Sequence, residues 1–201
     1  KYIAQSPKLR GLSTLKYPKM NKLICCILFQ LTIVISLYTQ SDSLRDYRWQ
    51  IGASYVDNNP DYGGTDINFN VSPVEFSYVE RDLNFNHTNA SICDKEGELL
   101  FYTNGIDICN RFGDTIPNGT GLNPGVIADD QQEGGYKISN GAFAVPDPGS
   151  ENLYYLIHEG YDILEISGTV ATTTKLYYTI IDMSTSEGNV ISKNNLILAD
   201  T

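Results

Sequence analysis

The chain has very little histidine, a residue that many catalytic and zinc sites need. Its 201 residues include only two histidines, His87 and His158, and one tryptophan, Trp49. It contains neither a Gly-x-Ser-x-Gly nucleophile elbow nor a His-Glu-x-x-His zinc motif. A triad or a zinc site would need partners from distant segments. We therefore expect His87 to be a polar loop residue and His158 a strand residue, and we predict no catalytic residues.

Acidic residues are missing from positions 1–40, which hold six basic residues. All 24 acidic residues lie after position 40, together with the other eight basic residues. A body with this excess of negative charge lacks the basic face that replaces counterions on phosphate. The composition thus argues against a nucleic-acid binder and against a protein of anionic membrane surfaces.

Residues 20–42 have the pattern of a secretory signal peptide. A basic start precedes the apolar run Leu23–Leu37, and a polar segment follows. A membrane anchor is the alternative, but a span needs about 20 apolar residues and this run is shorter and interrupted. We predict that residues 20–42 form an export signal helix, that there is no stable membrane span, and that residues 1–19 reflect translation upstream of the true start.

The local sequence around Cys93 and Cys109 predicts that both are free thiols. Turn residues follow Cys93, and Asn104-Gly105 is a strong hairpin signal, so the segment predicts a three-stranded meander. Pairing outward from these turns places Leu100 beside both Ser91 and Cys109. The cysteines then lie on the two outer strands, too far apart for a disulfide.

The sequence that follows the signal-like segment predicts an all-β, antiparallel fold. No stretch of ten residues has helical apolar spacing, whereas short segments rich in β-branched and aromatic residues alternate with turn residues. The predicted strands are Trp49–Tyr55, Asp66–Asn70, Val74–Tyr78, Ala90–Cys93, Leu99–Thr103, Asp107–Asn110, Ala142–Val145, Leu153–His158, Lys175–Asp182 and Val190–Leu198.

Related strand groups about 50 residues apart suggest propeller blades. One group contains Leu99–Thr103, and the next contains Leu153–Ile157 and Leu176–Asp182. Val190–Leu198 would be left as an unpaired edge, which whole domains avoid. We predict that residues 43–201 are the N-terminal part of a β-propeller-like domain, about two blades of a larger propeller that is truncated at its C-terminus.

A series of short sequence motifs resembles that of a known family. The motifs are Trp49-Gln-Ile-Gly52, Asp66-Ile-Asn-Phe-Asn70, Ala90-Ser-Ile-Cys-Asp94, Gly97-Glu-Leu-Leu-Phe-Tyr-Thr-Asn-Gly105, Ile116-Pro-Asn-Gly119, Val145-Pro-Asp-Pro-Gly-Ser150, Tyr154-Tyr-Leu-Ile157 and Leu176-Tyr-Tyr-Thr-Ile-Ile-Asp-Met183. In this order they resemble the N-terminal region of large secreted proteins of Bacteroidota that carry gliding-associated C-terminal domains and leave by type IX secretion.

The resemblance implies a propeller-like domain on the outer cell surface or in the medium. It also implies that the type IX machinery is a partner, recognised through a C-terminal sorting domain that this chain lacks. Ile51 stands where the family usually has an aromatic residue, and Cys109 where it often has tryptophan. The resemblance brings no catalytic residues with it.

The loop after the first strand has oxygen-bearing side chains at alternate positions. Asp57, Asn59 and Asp61 are spaced like the ligands of an EF-hand calcium loop. The loop departs from that pattern in two ways: Gly63 lies one residue after the position of the EF-hand glycine, and Asn68 occupies the position of the bidentate glutamate. A calcium site is one interpretation and a solvated loop the other. No other cofactor is predicted.

Two further features have competing interpretations. Ser91, Asp94 and Gly97 resemble an aspartate box, although a hairpin turn in which Asp94 accepts local backbone hydrogen bonds is favoured. Trp49 and the tyrosines form either a sugar-stacking face or core packing.

The function predicted from the sequence is a non-catalytic surface or secreted module for adhesion. Its partner would be a polymer such as a glycan, or a surface protein, bound through loops around a propeller channel. The alternatives are a secreted carbohydrate-active enzyme, whose carboxylates are not marked by any motif, and a structural spacer.

Overall fold

The computed structural model describes residues 44–53, 61–165 and 169–200. The predicted upstream segment 1–19, the predicted signal peptide 20–42, and Asp57 and Asn59 of the predicted calcium loop lie outside these residues. The elements are β1 (Arg48–Gly52), β2 (Gly64–Asn68), β3 (Glu75–Val79), β4 (Ala90–Cys93), β5 (Leu99–Thr103), β6 (Ile108–Asn110), α1 (Val126–Asp130), β7 (Ala142–Pro146), β8 (Leu153–Glu165), β9 (Thr169–Asp182) and β10 (Asn189–Ala199).

The fold is all-β, as predicted, and its strands form three antiparallel sheets. Each sheet is a meander of strands that follow one another in the chain: β1–β2–β3, β4–β5–β6 and β7–β8–β9–β10. None of the three described sheets closes into a barrel. The ten strands of the described residues are thus distributed over three sheets, where about two blades were predicted.

Each predicted strand has a counterpart, and the largest difference lies in the hairpin of β8 and β9. The sequence predicted Leu153–His158 and Lys175–Asp182, but pairing continues past Gly160 to Glu165 and Thr169. The extension contains Thr172, Thr173 and Thr174, which are β-branched but polar and so carry no apolar strand signal. The short helix α1 was also missed, because five residues show no helical period.

The central sheet β4–β6 is covered on both faces. One face carries Ile92, Phe101 and Ile108 into the main core, where they meet buried residues of the third sheet. The other face carries Tyr102 and Cys109 into a second cluster. The remaining members of the two clusters are Ile116, Leu122, Ala142, Tyr154, Leu156, Ile181, Met183 and Val190 in the first, and Leu83, Phe85 and Leu99 in the second.

The register of this meander differs from the predicted one. Tyr102, not Leu100, lies between Ser91 and Cys109. One part of the shift arises in the turn between β5 and β6. Asn104 Oδ1 accepts hydrogen bonds from the backbone N–H groups of Ile106 and Asp107. The connection to β6 is therefore longer than a two-residue hairpin. An irregularity between Ile92 and Cys93 shifts the other pairing.

The two cysteines are free, as predicted. Cys93 and Cys109 are buried on the outer strands of the meander. Burial raises the pKa of each thiol to about 11. Both side chains therefore stay as neutral thiols that pack like small apolar groups.

A buried polar network joins the third sheet to the loop before α1. His158 is a strand residue, as predicted, and its ring nitrogens lie 2.7 Å from Asn123 Oδ1 and 2.9 Å from Thr179 Oγ1. Asn194 donates its backbone N–H to Thr179 and accepts one from Asn123. Because the Asn123 oxygen can only accept, His158 donates through Nδ1, and Nε2 accepts from Thr179. Tyr177 stacks on the same ring.

The network predicts a stability that depends on pH. Burial lowers the pKa of His158 from 6.5 to about 4. The unfolded chain therefore takes up this proton near pH 6.5 while the folded chain remains neutral. The free energy of unfolding should fall as pH decreases from 6.5 to 4, by up to about 3 kcal/mol from this group, and then level off.

Urea unfolding at a series of pH values measures this decline. In His158→Gln the part of the decline due to this group should disappear, whereas His87→Gln, which changes an exposed loop residue, should keep it. An unchanged pH profile in His158→Gln would contradict the assignment.

Candidate functional site

The first sheet has its polar side chains inside and its large apolar side chains outside. Gln50 and Asp66 are almost fully buried on the inner face, which faces the second sheet. On the outer face Trp49 is 50% exposed and Phe76 is 67% exposed. The register aligns Trp49, Ile67 and Phe76 in one row across the three strands. Folding alone does not bury this outer surface.

A hydrogen-bonded cluster fills the inner face. The Asp66 carboxylate accepts hydrogen bonds from the Arg48 guanidinium and from the Gln50 amide. Gln50 Oε1 in turn accepts from Arg81, 3.0 Å away. Arg81 also donates to the carbonyls of Ile51 and Leu83 and lies over the Phe85 ring. The buried Asp66 carboxylate is therefore ion-paired with Arg48, and the buried Arg81 guanidinium is hydrogen-bonded to neutral acceptors.

The guanidinium groups of Arg48 and Arg81 respond differently to this environment. The hydrogen bond that Arg48 donates to Asp66 raises the pKa of Arg48, while burial lowers the pKa of Arg81. The Arg81 guanidinium packs against Gly64, so a Cβ at this position would displace the end of the Arg81 side chain. None of this cluster was identified from sequence.

The first strands of the three sheets meet at a shallow groove, which we name the Trp49 groove. Trp49 of β1 and Phe143 of β7 form two of its walls. The side chains of Asn89 and Ser91 tie β4 to β1 by donating to the carbonyls of Gln50 and Arg48, each at 3.1 Å. The groove has a volume of about 320 Å³ and is completed by Ala90, Ala142 and Ala144.

Trp49 also borders a second hollow on its other side. This hollow, of about 370 Å³, is lined by Trp49, Phe69, Tyr47 and Asp46. The Trp49 and Phe69 rings lie 5.2 Å apart between centroids. The indole N–H donates to the Asp46 carbonyl, which fixes the ring orientation. One indole thus separates two adjacent hollows that open to solvent.

The structure separates the residues predicted as sites. Asp61 is described, but the other two predicted calcium ligands are not, so the calcium loop remains a prediction. Within the described ranges no three His, Cys, Asp or Glu side chains come together as a metal site. His87 is exposed and His158 is buried in the network above. Asp94 accepts the N–H groups of Glu96 and Glu98, which confirms the hairpin-turn interpretation.

Acidic side chains line a further hollow of about 500 Å³. Asp82, Asp107, Asp114 and Glu133 all border it. Burial raises the pKa of Asp107, and its buried Oδ1 has no hydrogen-bond partner among the described residues. No sequence motif marked these carboxylates.

Comparison with known protein families, with curated proteins and with solved structures found no match. Among the described residues, no helix has the length and apolar character needed to cross a membrane.

The hydrogen-bonded cluster on the inner face predicts that loss of the Asp66 carboxylate, its central acceptor, lowers the free energy of unfolding substantially. Asp66→Asn should lower the free energy of unfolding by about 2–4 kcal/mol, because it removes the buried carboxylate that the partly buried Arg48 guanidinium and the Gln50 amide both contact. Urea unfolding at pH 7 measures the change. Glu98→Gln is the matched control, since Glu98 is mostly exposed and lies 3.8 Å from Arg48; its effect should be under about 1 kcal/mol. Equal effects in the two variants would contradict the prediction.

Proposed function

We propose that this chain is an exported, non-catalytic β-propeller-like module that binds a polymer through the Trp49 groove. The observation that carries the proposal is the exposed indole between two hollows. Trp49 is half exposed, its orientation is fixed by the Asp46 carbonyl, and polar Asn89 and Ser91 lie beside it. A fixed aromatic ring beside polar groups suits a ligand with flat apolar faces and hydroxyl edges.

The arrangement of the sheets supports a propeller-like organisation. Propeller blades are meander sheets whose strands follow in chain order around a central channel. Here the three sheets are consecutive meanders, and their first strands are neighbours in the order β1, β4, β7. The Trp49 groove lies where these first strands meet, which is the position of the channel in a propeller.

A polysaccharide is the polymer that fits this surface best. The two hollows share Trp49, so adjacent rings of a linear chain could contact opposite sides of one indole. The body of the chain is acidic, which favours a neutral polymer over an anionic one. A protein partner that covers the same aromatic residues is the competing ligand.

The proposed location is the outer cell surface or the medium. It is supported by the signal-like pattern of residues 20–42 and by the family resemblance. On this proposal the type IX machinery is a partner through a C-terminal sorting domain.

The binding proposal predicts the effect of removing the indole. Trp49→Ala should weaken retention by a neutral polysaccharide at least tenfold, because a central aromatic anchor is worth about 2 kcal/mol or more. Affinity electrophoresis in gels that contain soluble neutral β-glucans, mannans or xylans measures this retention. Phe143→Ala should also weaken it.

Phe76→Ala is the matched control, since Phe76 is exposed on the same face but borders neither hollow. It should retain full affinity. Equal losses in Phe76→Ala would show general adhesion of an apolar face. If no polysaccharide is retained, the polymer proposal fails, and the spacer interpretation gains support.

The acid-lined hollow favours a second candidate, a carbohydrate-active enzyme. A carboxyl group whose pKa is raised by burial is suited to act as a general acid, and the partly buried Asp107, with its buried Oδ1, has this property. In that case glycan hydrolysis by the wild-type chain should fall at least a hundredfold in Asp107→Asn. Assay of reducing-end release on a glycan panel measures it; binding without turnover would reject the enzyme.

A further inference from the structure

A polar pocket lies under the first sheet, on the face opposite Trp49. We name it the Tyr102 pocket. It is bordered by the inner face of β1–β3 and by residues of β5 and the turn after β6, and has a volume of about 250 Å³. Its polar lining includes Gln50, Asp66, Arg81, Glu98, Tyr102 and Arg111.

Tyr102 has unused hydrogen-bonding capacity in this pocket. Its side chain is only 3% exposed and its ring packs edge-on against Phe85. Among the described residues no hydrogen bond joins its hydroxyl to another group, and the hydroxyl is not one of the fully buried unpartnered atoms, so it is open to the pocket. Burial raises the pKa of Tyr102 to about 12, so the hydroxyl is protonated and can donate. A tyrosine hydroxyl that opens onto a pocket takes its hydrogen-bond partner from whatever fills that pocket, so this hydroxyl is free to donate to a ligand.

The floor of the pocket is already organised. Asp66 is held by Arg48 and Gln50, and Arg81 is held by Gln50 and two backbone carbonyls. These groups would not need to reorganise when a ligand enters, which lowers the cost of binding. Carboxylate, amide and guanidinium groups side by side offer both acceptors and donors.

The charges of the lining are balanced. Three guanidinium groups, those of Arg48, Arg81 and Arg111, face three carboxylates, those of Asp66, Glu80 and Glu98. A ligand with net charge would leave one sign uncompensated in a partly enclosed site. Hydroxyl groups donate and accept at once, and so match a lining of mixed character.

The dimensions of the pocket restrict the ligand to one ring. Its volume is close to the lower limit of small-molecule sites, which are roughly 300–1,000 Å³. Phe112 lies at the pocket with the Arg111 guanidinium over its ring. The face of the exposed Phe112 ring that Arg111 leaves uncovered offers a stacking surface for the face of a sugar ring.

We propose that the Tyr102 pocket binds a neutral, polyhydroxylated ring of monosaccharide size, with the Tyr102 hydroxyl as a donor to it. The pocket and the Trp49 groove lie on opposite faces of the first sheet, so this site is separate from the polymer site proposed above. The proposal does not require the polymer proposal to hold.

The test is titration of the full chain with D-glucose, D-galactose, D-mannose and myo-inositol, followed by ligand-observed NMR. At least one neutral ring should show saturable binding. Tyr102→Phe removes only the hydroxyl and should weaken that binding roughly three- to tenfold, the effect of one neutral hydrogen bond. Tyr155→Phe, which changes a tyrosine outside the pocket lining, should leave it unchanged. Thermal unfolding checks that both variants fold.

Each other outcome overturns the proposal. Absence of saturation with all four neutral rings removes the ligand class. Tighter binding of D-glucuronate than of D-glucose contradicts the charge argument. Equal losses in Tyr102→Phe and Tyr155→Phe exclude the pocket as the site.

The two binding proposals remain distinguishable in the same experiments. Trp49→Ala should remove polymer retention and leave the single-ring titration intact, and Tyr102→Phe should do the opposite. Loss of the single-ring signal in Trp49→Ala would assign that signal to the groove and overturn the pocket proposal.

Discussion

Burial of the central sheet on both faces is the constraint on which the other features depend. Its strands carry Phe101 into the main core and Tyr102 into the second cluster. A sheet that is apolar on both sides needs a cover on both sides. The third sheet supplies one cover. The second is shared between residues 83–85 and the inner face of the first sheet.

The position of the first sheet over the Tyr102 side of the central sheet explains why its polar side chains face inward and its large apolar side chains face solvent. Its inner face meets Tyr102 with a cluster of paired polar groups and not with an apolar layer, so a polar pocket persists between the two sheets. The apolar side chains of the first sheet are then left on its outer face, where Trp49 is held by Asp46 and Phe69. The groove and the pocket are therefore two results of one sheet orientation.

The sequence predicted most strands because alternation and turn residues act locally. It placed Leu99–Thr103 correctly and predicted that Cys93 and Cys109 stay free. It failed at an irregular turn, in polar strand segments, and where distant contacts decide. The register at Tyr102 depends on the Asn104 turn, and the strand that contains Thr172 pairs through polar residues. The cluster of Gln50, Asp66 and Arg81 joins positions that no local pattern connects.

Each sheet spans one short continuous stretch of chain. In the part of the chain that the structure describes, every sheet joins strands that are consecutive in sequence, so each sheet forms from local pairings alone. Loop closure then costs little for each sheet, and topologies of this kind fold faster than those with long-range pairing. Packing of the three sheets against one another is then the late step of folding. The chain is thus organised as a series of units that can form in the order in which they are synthesised.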